Sequence, residues 1–367
     1  MANKNWPSIA ILGSVGVPAR YGGFETLADN LVRFHADTNR SEDLSVYCSS
    51  PTCPDQPERF GNATLRYSQF RANGAASVLY DATTLRDAIR RGVDVALLLG
   101  VSGAIALPAL ARRGTRIVTH VDGLEWQRGK WSGPARAFLH WSERLAVRHS
   151  DAVIADSPAI ATHLMQEYGV KADVITYGGD HATQVPTPPS PAPADLPEGY
   201  ALALCRIEPE NNAHMILEAF AEVAAPLVFV GNWDNTPYGR ALRARFGHLP
   251  HIRLLDPIYA PGPLFVLRHG ATAYIHGHSA GGTNPALVEM MHIGHPILAF
   301  DCVFNRQTTQ DQALFFTDRD SLVAALQGPL ELQDGDGLRE FARQHYTWAK
   351  VGTQYFDLLN KVATRDT

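Results

Sequence analysis

A glycine-rich stretch in the second half of the chain carries residue types suited to binding an anion. It reads HGHSAGGTNPALVE and runs from His276 to Glu289. Asn284 is a favourable N-cap and Pro285 a favourable first residue of a helix, so the amides of residues 282–284 would lie at a helix N-terminus and could hold a diphosphate. Glu289 could then accept a hydrogen bond from a sugar hydroxyl. The alternative is a capped helix with a surface glutamate, but the glycine pair favours the anion site.

An arginine stands at the end of a second apolar run. Arg206 follows the predicted strand Ala201–Cys205 and precedes a short polar stretch. A guanidinium at the carboxyl end of a strand is well placed to bind a diphosphate through two parallel hydrogen bonds. A structural ion pair with Glu208 or Glu210 is the alternative, and the residue types leave both open.

Two glycine clusters follow the first predicted strand and precede the first predicted helix. They comprise Gly13 to Gly16 and the pair Gly22-Gly23. Glycines let backbone amides approach an oxyanion closely, and a helix N-terminus adds partial positive charge. The spacing does not match the dinucleotide-binding fingerprint, and glycine turns after strands are common. A phosphate or substrate loop and an ordinary turn are both open here.

Two further polar residues lie where another predicted strand ends. His120 ends the strand Arg116–His120, and Asp122 follows it. Catalytic groups tend to lie at the carboxyl ends of parallel strands. Either side chain could orient an acceptor hydroxyl or take its proton. The alternative for His120 is a half-buried structural ring.

Histidine and aspartate pairs raise the question of a metal site. The pairs are His276/His278, His292/His295, His120/Asp122, Asp318/Asp320 and Asp334/Asp336. None of the histidine pairs has the spacing of a metallohydrolase, and the aspartates stand at predicted helix starts and turns, where aspartate is common. The sequence therefore predicts no metal and no bound cofactor.

Length and composition define the class of protein. A chain of 367 residues favours two domains, and a net charge of −5 argues against a nucleic-acid binder. The four cysteines lack paired metal-ligand spacing, and the N-terminus lacks a signal-peptide pattern, which together predict a cytoplasmic protein. The apolar segment Val95–Ala111 resembles a membrane span, but its glycines and proline favour a strand, a turn and a short helix.

Strand and helix patterns alternate along both halves of the chain, which predicts two doubly wound parallel sheets. The predicted strands are Ser8–Leu12, Leu44–Cys48, Val93–Leu99, Arg116–His120, Ala152–Ala155, Asp173–Thr176, Ala201–Cys205, Leu227–Val230, His251–Leu255, Ala271–His276 and Pro296–Phe300. The predicted helices are Phe24–Phe34, Ser77–Arg91, Pro134–Arg148, Pro158–Tyr168, Ala213–Val223, Tyr238–Phe246, Pro263–His269 and Pro285–Ile293. The proline-rich stretch 183–199 interrupts the alternation and predicts a semi-rigid linker between domains 1–182 and 200–345. Ligands would bind in a cleft at the carboxyl ends of the strands.

A basic, aromatic-bearing stretch follows Asp122. It contains Arg128, Lys130, Arg136, Arg144 and Arg148, together with Trp131, Phe138 and Trp141. Such a surface suits anionic lipid headgroups and predicts a peripheral association with the inner face of the cell membrane. Glu143 interrupts the positive charge, and the alternative is that these aromatic residues belong to the core.

Taken together, these motifs resemble the bacterial glycosyltransferases of family 4, in the rhamnosyltransferase branch of capsule and exopolysaccharide assembly. The likeness is carried by the stretches Gly16–Thr26, Asp122–Trp126, Arg206–Asn212, His276–Glu289 and Phe304–Arg306. The resemblance implies a GT-B fold, in which two Rossmann-like domains face a central cleft. It also implies a retaining, metal-independent transferase, and a last helix (Trp348–Leu359, within 346–367) that returns to the N-terminal, acceptor-binding domain.

The resemblance also implies roles for individual residues. Arg206 and the amides of Gly282, Thr283 and Asn284 would hold the donor diphosphate, Glu289 would hold the ribose, and the loop at Gly22 would face the donor phosphates across the cleft. The implied donor-binding set is Gly16, Gly22, Gly23, Arg206, His278, Gly281, Gly282, Thr283, Asn284 and Glu289. The implied catalytic set is Arg206, His120 and Asp122.

Three positions depart from the broad family pattern. Gly281 replaces the first glutamate of a paired-glutamate motif that contacts the donor sugar, which favours a deoxygenated sugar such as rhamnose. Asn211 replaces a lysine, which leaves less positive charge for the leaving diphosphate. Val15 stands where the branch usually has arginine, which affects the contacts of that loop. The first two features belong to the branch and are not signs of lost activity.

The sequence thus predicts transfer of a sugar from a nucleotide-diphosphate donor to a lipid-linked or oligosaccharide acceptor in surface polysaccharide biosynthesis. Two alternatives stay open. One is a sugar-nucleotide epimerase or hydrolase of the same fold, and the other is a non-catalytic scaffold that binds a sugar nucleotide.

Overall fold

The computed structural model describes residues 6–19, 22–110, 114–128, 131–187, 190–191, 193–328 and 335–364. The chain divides into two compact units. Unit 1 comprises Met1–Thr176 and Trp348–Thr367, and unit 2 comprises Tyr177–Thr347. The proline-rich segment 183–199 lies within unit 2, where Ser190 packs against Gly262 so closely that a β-carbon on the glycine would stand 1.8 Å from the serine hydroxyl. Ser190 of this segment is therefore packed on unit 2.

Unit 1 is built on an eight-stranded sheet. Its strands are β1 (Ser8–Leu12), β2 (Asp43–Ser49), β3 (Arg59–Phe60), β4 (Ala63–Ser68), β5 (Val95–Leu99), β6 (Arg116–Val121), β7 (Ala152–Ala155) and β8 (Asp173–Val174). Its first five helices are α1 (Gly23–Asp37), α2 (Ser77–Arg90), α3 (Leu107–Leu110), α4 (Gly133–His149) and α5 (Pro158–Tyr168). The strand order is β3-β4-β2-β1-β5-β6-β7-β8, parallel except for the pair β3–β4. All five residues of β1 and of β5 are buried, as expected for central strands covered on both faces.

Unit 2 contains a six-stranded, wholly parallel sheet. Its strands are β9 (Ala201–Leu204), β10 (Leu227–Val230), β11 (Ile252–Leu255), β12 (Ala273–His276), β13 (Ile297–Phe300) and β14 (Leu314–Phe316). Its helices are α6 (Ala213–Val223), α7 (Pro237–Phe246), α8 (Pro261–Gly270), α9 (Pro285–Ile293), α10 (Val303–Thr309), α11 (Arg319–Gln327) and α12 (Gly335–His345). The order β11-β10-β9-β12-β13-β14 reverses direction between β9 and β12. Ligands of open parallel sheets bind beside such a reversal, at the carboxyl ends of the strands.

A helix from the end of the chain completes unit 1. This helix, α13 (Trp348–Ala363), contacts α1, β5 and β6. It buries apolar side chains at helical spacing, and its Phe356 stacks on Phe34 of α1 with ring centroids 6.1 Å apart. The Asn360 amide donates a hydrogen bond of 2.8 Å to Glu42. Unit 1 therefore consists of two chain segments separated by the whole of unit 2.

The two doubly wound parallel sheets predicted from the alternation are confirmed. Several elements have the predicted bounds, among them α5, α6 and α9. At α5 and α9 an N-cap residue followed by proline marks the start of the helix. The short strands β3, β4 and β14 and the helices α10 and α12 were not predicted, and of α11 only the start at Asp318 was predicted. In β4 the exposure alternates only weakly, and β3 has two residues.

The segment Val95–Ala111 contains β5, a short 3-10 turn and α3, as its glycines predicted, and residue 111 lies outside the described residues. Across the described part of the chain, the apolar length needed to cross a membrane is not reached by any helix.

Candidate functional site

The loops after β9 and β12 are hydrogen bonded to each other beside the strand-order reversal of unit 2. The Asn212 amide donates to the Gly277 carbonyl at 2.9 Å. Ser279 donates to the Glu210 carbonyl through both its backbone N–H, at 3.0 Å, and its hydroxyl, at 2.8 Å. The structure therefore joins the Arg206 loop and the glycine-rich loop, as expected if both serve one ligand.

The glycine-rich loop leads into α9 with the predicted cap. The Asn284 side chain accepts a hydrogen bond of 3.0 Å from the Ala286 N–H, and Pro285 is the first helical residue. Gly281 has a φ of 129°, a conformation that side-chain-bearing residues rarely adopt. Glutamate at this position would therefore strain the turn. The partial positive charge of the helix start lies beside residues 282–284, where an anion can bind.

Arg206 forms the ion pair that the residue types left open and still reaches solvent. One guanidinium nitrogen lies 3.7 Å from a carboxylate oxygen of Glu208, and 41% of the side chain is exposed. Exposed pairs of this kind contribute about 0–1 kcal/mol, so a diphosphate could displace Glu208. The Arg206 carbonyl accepts a hydrogen bond of 2.7 Å from the amide of Asn211, which is buried. Asn211, the residue in place of the family lysine, thus shapes the arginine loop.

Glu289 is not a surface glutamate. It is 7% exposed, and its two carboxylate oxygens face Arg268 of α8 and the His181 imidazole, the latter at 3.1 Å. Burial by itself raises the pKa of this carboxyl, but Arg268 and His181 outweigh burial and hold the Glu289 pKa below its ordinary value. Glu289 is therefore a buried carboxylate already paired with Arg268 and His181. A carboxylate oxygen can accept more than one hydrogen bond, so a ribose hydroxyl could add to this network.

Two stacked imidazoles lie where β12 enters the glycine-rich loop. The rings of His276 and His278 are 4.4 Å apart and 13° from parallel. His276 is buried, which lowers its pKa to about 3, and its Nδ1 lies 3.3 Å from the Tyr274 hydroxyl. The Asn305 amide of α10 donates to the His278 carbonyl at 2.8 Å. The motif Phe304–Arg306, which follows the neighbouring strand β13, thus supports the glycine-rich loop that follows β12.

The glycine loop of unit 1 differs from this arrangement because carboxylates of α1 occupy it. Glu25 accepts a hydrogen bond of 2.8 Å from the Val15 N–H, and Asp29 accepts one of 2.7 Å from the Ala19 N–H. Gly16 has a φ of 128° and lies against Cys48, so it is required by the turn itself. An anion here would meet two carboxylates. At Gly22 and Gly23 the expected donor contact stays a prediction.

His120 is fully buried, in place of the half-buried ring that the sequence left open. Its Nδ1 lies 2.9 Å from the hydroxyl of Tyr355 on α13, and Phe24 of α1 meets the ring edge-on at 5.4 Å. Burial lowers the pKa of His120 to about 3. A base with so low a pKa takes protons poorly near neutral pH. Of the two predicted roles, orientation of an acceptor hydroxyl therefore fits the geometry better.

Asp122 lies close enough to the His120–Tyr355 pair to act on it electrostatically. The pKa of Tyr355 is raised mainly by burial and further by the charges of Asp156 and Asp122. The structure thus brings Asp122, His120 and Tyr355 together in unit 1. Tyr355 was not predicted, because nothing in the sequence links it to a residue 235 positions away.

Glu143 faces inward and does not interrupt the basic surface of α4. It is buried and pairs with the Trp126 indole at 3.2 Å, the His163 ring at 3.1 Å and the Tyr168 hydroxyl at 2.8 Å. Trp141 is 52% exposed, so the core alternative is wrong for that residue, and Arg136, Arg144 and Arg148 are exposed as well. Phe138 and Trp131 are half-buried, and Lys130 lies outside the described residues.

Within the described ranges, no group of three or more histidine, cysteine, aspartate or glutamate side chains could hold a metal ion. Asp318 is the N-cap of α11 and accepts from the Ser321 N–H at 2.8 Å, as its helix-start position predicted. Asp334 lies outside the described residues.

Comparison with known proteins identifies the fold. A family model described as a domain of unknown function, DUF1972, matches residues 7–180. No curated protein matches the chain. Sucrose-phosphate synthase from Thermosynechococcus elongatus is similar in structure, with a TM-score of 0.80 at 15% identity, covering 97% of this chain and 99% of that one.

Two further solved structures share this likeness and contain nucleotides. HepE from Anabaena in complex with UDP has a TM-score of 0.68 at 16% identity, covering 96% of this chain and 100% of that one. The catalytic domain of starch synthase IV from Arabidopsis thaliana, bound to ADP and acarbose, has a TM-score of 0.73 at 12% identity, covering 98% and 100%. The chain thus has the GT-B fold, as the resemblance implied.

Proposed function

We propose that this protein is a glycosyltransferase that takes a sugar from a nucleotide-diphosphate donor bound by unit 2. The observation that carries the proposal is the junction of the Arg206 loop and the glycine-rich loop at the strand-order reversal, with the start of α9 beside it. That junction offers one guanidinium and one helix N-terminus to a single anion. The UDP and ADP complexes of proteins with the same fold support this proposal.

The proposed chemistry follows from the charges that develop during transfer. Breaking the bond between the sugar and the diphosphate places negative charge on the leaving diphosphate, which Arg206 and the amides of residues 282–284 would stabilise. Removing one preorganised donor of this kind costs on the order of a hundredfold in rate. We propose that the transfer is metal-independent and retains the anomeric configuration, and that His120 and Asp122 orient the acceptor hydroxyl.

The donor sugar and the acceptor are proposed from the sequence and from two structural observations. Gly281, with its positive φ, supplies no carboxylate for sugar hydroxyls, which favours a deoxygenated sugar such as rhamnose. The exposed Trp141 with Arg144 and Arg148 on α4 suits an anionic membrane surface. We therefore propose a lipid-linked or oligosaccharide acceptor of surface polysaccharide biosynthesis, reached by peripheral association at the inner face of the membrane.

Donor binding tests the proposal directly. Thermal unfolding is recorded with UDP, dTDP, ADP and GDP and with their sugar conjugates, because a ligand held only by the folded state raises the melting temperature. For the nucleoside diphosphate that raises the melting temperature of the wild type, Arg206→Ala is expected to lower the binding affinity by about a hundredfold, because charge-assisted hydrogen bonds are lost. Arg245→Ala is the matched control, since this arginine of the same unit pairs with Glu218 at the surface, and its binding should equal that of the wild type.

Transfer itself is measured with a membrane extract as the source of acceptor. Release of nucleoside diphosphate that depends on the extract, and that persists in chelator, supports a metal-independent transferase. Donor consumption without an acceptor indicates the epimerase or hydrolase alternative, and binding without turnover indicates the scaffold. A requirement for magnesium or zinc contradicts the proposed metal independence.

A further inference from the structure

One buried polar atom of unit 2 is not explained by the interactions within the unit. His276 is 1% exposed, and its Nε2 has no hydrogen-bond partner among the described residues. Burying such a group without a partner costs about 1–3 kcal/mol. An unsatisfied buried nitrogen beside a ligand site suggests that the ligand supplies the missing partner.

The position of His276 on its strand decides which ligand atoms it can meet. Successive side chains of a strand point to opposite faces. Tyr274, on the same face as His276, packs in one cluster with Val288 and Met291 of α9, whereas Ile275 belongs to the cluster on the other face. His276 therefore lies on the α9 side of the sheet, where β12 ends and the loop to the start of α9 begins. The expected anion site is at that helix start.

The tautomer of His276 depends on its neighbour. Burial raises the pKa of Tyr274 well above its ordinary value and lowers that of His276 to about 3, so the phenol keeps its proton and the imidazole is neutral. A Tyr274 hydroxyl that donates to Nδ1, 3.3 Å away, leaves the ring proton on Nε2. In that tautomer His276 presents an N–H group that can donate a hydrogen bond to an anion.

We propose that His276 donates its Nε2–H to a phosphate oxygen of the donor diphosphate and that Tyr274 sets the tautomer that makes this possible. This inference rests on the proposed function, because it assumes a diphosphate at the start of α9. His278 holds the plane of the ring by stacking, and Asn305 anchors the backbone of His278. Since the imidazole is neutral, it adds a directed hydrogen bond without adding charge.

Three variants separate this role from a structural one. His276→Gln keeps an amide N–H close to the position of Nε2, His276→Leu removes the donor but fills the buried volume, and Tyr274→Phe removes the hydroxyl that sets the tautomer. Tyr200→Phe is the matched control, because Tyr200 is a buried tyrosine of the same unit whose hydroxyl donates to the Leu267 carbonyl. Each is titrated by calorimetry with the nucleoside diphosphate that stabilises the wild type, and with the matching nucleoside.

The expected pattern is specific to the diphosphate. His276→Leu should lower the affinity for the nucleoside diphosphate by roughly ten- to a hundredfold, since a hydrogen bond to a charged group is lost. Tyr274→Phe should weaken binding of the nucleoside diphosphate by up to about tenfold, because the ring is then no longer held in the Nε2–H tautomer but can still adopt it. His276→Gln should recover most of the affinity. Nucleoside binding should be unchanged in every variant, and Tyr200→Phe should match the wild type throughout.

Two results would overturn the inference, and they differ. If the wild type binds the diphosphate and His276→Leu binds it equally well, His276 is structural while the proposed function survives. If the wild type binds none of UDP, dTDP, ADP and GDP, the proposed function fails and the inference fails with it. Should His276→Leu not fold, His276→Met gives the same decision because it also lacks a donor, whereas unchanged binding in Tyr274→Phe overturns the role of Tyr274 alone.

Discussion

Each unit has a buried histidine at the end of one strand or one residue before it, and the two histidines are held in different ways. His120 of unit 1 and His276 of unit 2 each have Nδ1 near a tyrosine hydroxyl and an Nε2 without a hydrogen-bond partner among the described residues. In unit 2 the tyrosine stands two positions earlier on the same strand. In unit 1 it is Tyr355, on a helix 235 positions away. The contact between histidine Nδ1 and a tyrosine hydroxyl is thus made within one strand in unit 2, whereas in unit 1 it is made by helix α13.

The charges around the two glycine loops differ as well. In unit 1 the loop amides bind Glu25 and Asp29, so the loop already has its anions. In unit 2 the carboxylate of α9, Glu289, is paired with Arg268 and His181, and Arg206 reaches solvent. The comparison teaches that a glycine loop before a helix predicts an anion site only when the helix does not supply its own carboxylates.

Removing the last helix is expected to have the largest effect and to act on one unit. The buried side chains lost on deleting residues 348–367 include five that are at most 1% exposed: Val351, Tyr355, Phe356, Leu359 and Val362. At about 1.5–3 kcal/mol each, their loss amounts to roughly 7–15 kcal/mol, as much as the whole stability of a domain. Hydrogen exchange should show strands β1, β5 and β6 unprotected while β9 and β12 stay protected. Equal loss of protection in both sheets would refute the independence of unit 2.

The second experiment destabilises unit 2 by removing one buried charge. Glu289→Gln leaves Arg268 buried without its counter-charge, which costs about 3–5 kcal/mol. Chemical denaturation should report this loss, and hydrogen exchange should place it in unit 2. Glu222→Gln is the control, because Glu222 forms an exposed pair with Arg319 and should change stability by less than about 1 kcal/mol. A loss for Glu289→Gln no larger than that of the control would show that this pair contributes nothing.

Acid should destabilise both units through their strand-end histidines. Burial lowers both pKa values to about 3, against about 6.5 in the unfolded chain, so the unfolded state binds more protons between these values and stability falls as pH falls. From pH 7 to pH 5 each histidine is expected to remove about 2 kcal/mol of unfolding free energy. Denaturation at both pH values should show a shallower pH slope for His120→Gln and for His276→Gln than for the wild type. An unchanged slope in either variant would mean that its histidine is not held neutral.

The two tyrosines should give the smallest effect and the sharpest comparison. Tyr355→Phe removes a hydrogen bond of 2.9 Å and is expected to lower the unfolding free energy by about 1 kcal/mol. Tyr274→Phe removes a longer contact of 3.3 Å and should cost less. Tyr67→Phe is the control, because its hydroxyl donates to the Pro57 carbonyl at an exposed position. If Tyr274→Phe costs more than Tyr355→Phe, the distant helix is not the stronger support.

Much of the fold was predictable because its signals are local. Proline and an N-cap residue marked the starts of α5 and α9, and apolar runs marked the central strands. Strand β3 was not predicted because a two-residue strand has no periodicity, and β4 was not predicted because its exposure alternates only weakly. In the site, the cap at Asn284 was predicted correctly, whereas Glu289 was left as a surface residue in one alternative because helical spacing does not reveal which partner covers a face.

The sequence by itself determined the alternation of strands and helices and the capped start of α9. It also determined that a glycine-rich loop precedes α1 and another precedes α9. These depend on hydrogen bonds and burial within a few residues of one another. Only the tertiary structure decided that Tyr355 holds His120, that Arg268 and His181 hold Glu289, and that carboxylates occupy the first glycine loop. These pairings join residues between 10 and 235 positions apart in the chain, and their geometry is set by how whole helices pack on a sheet.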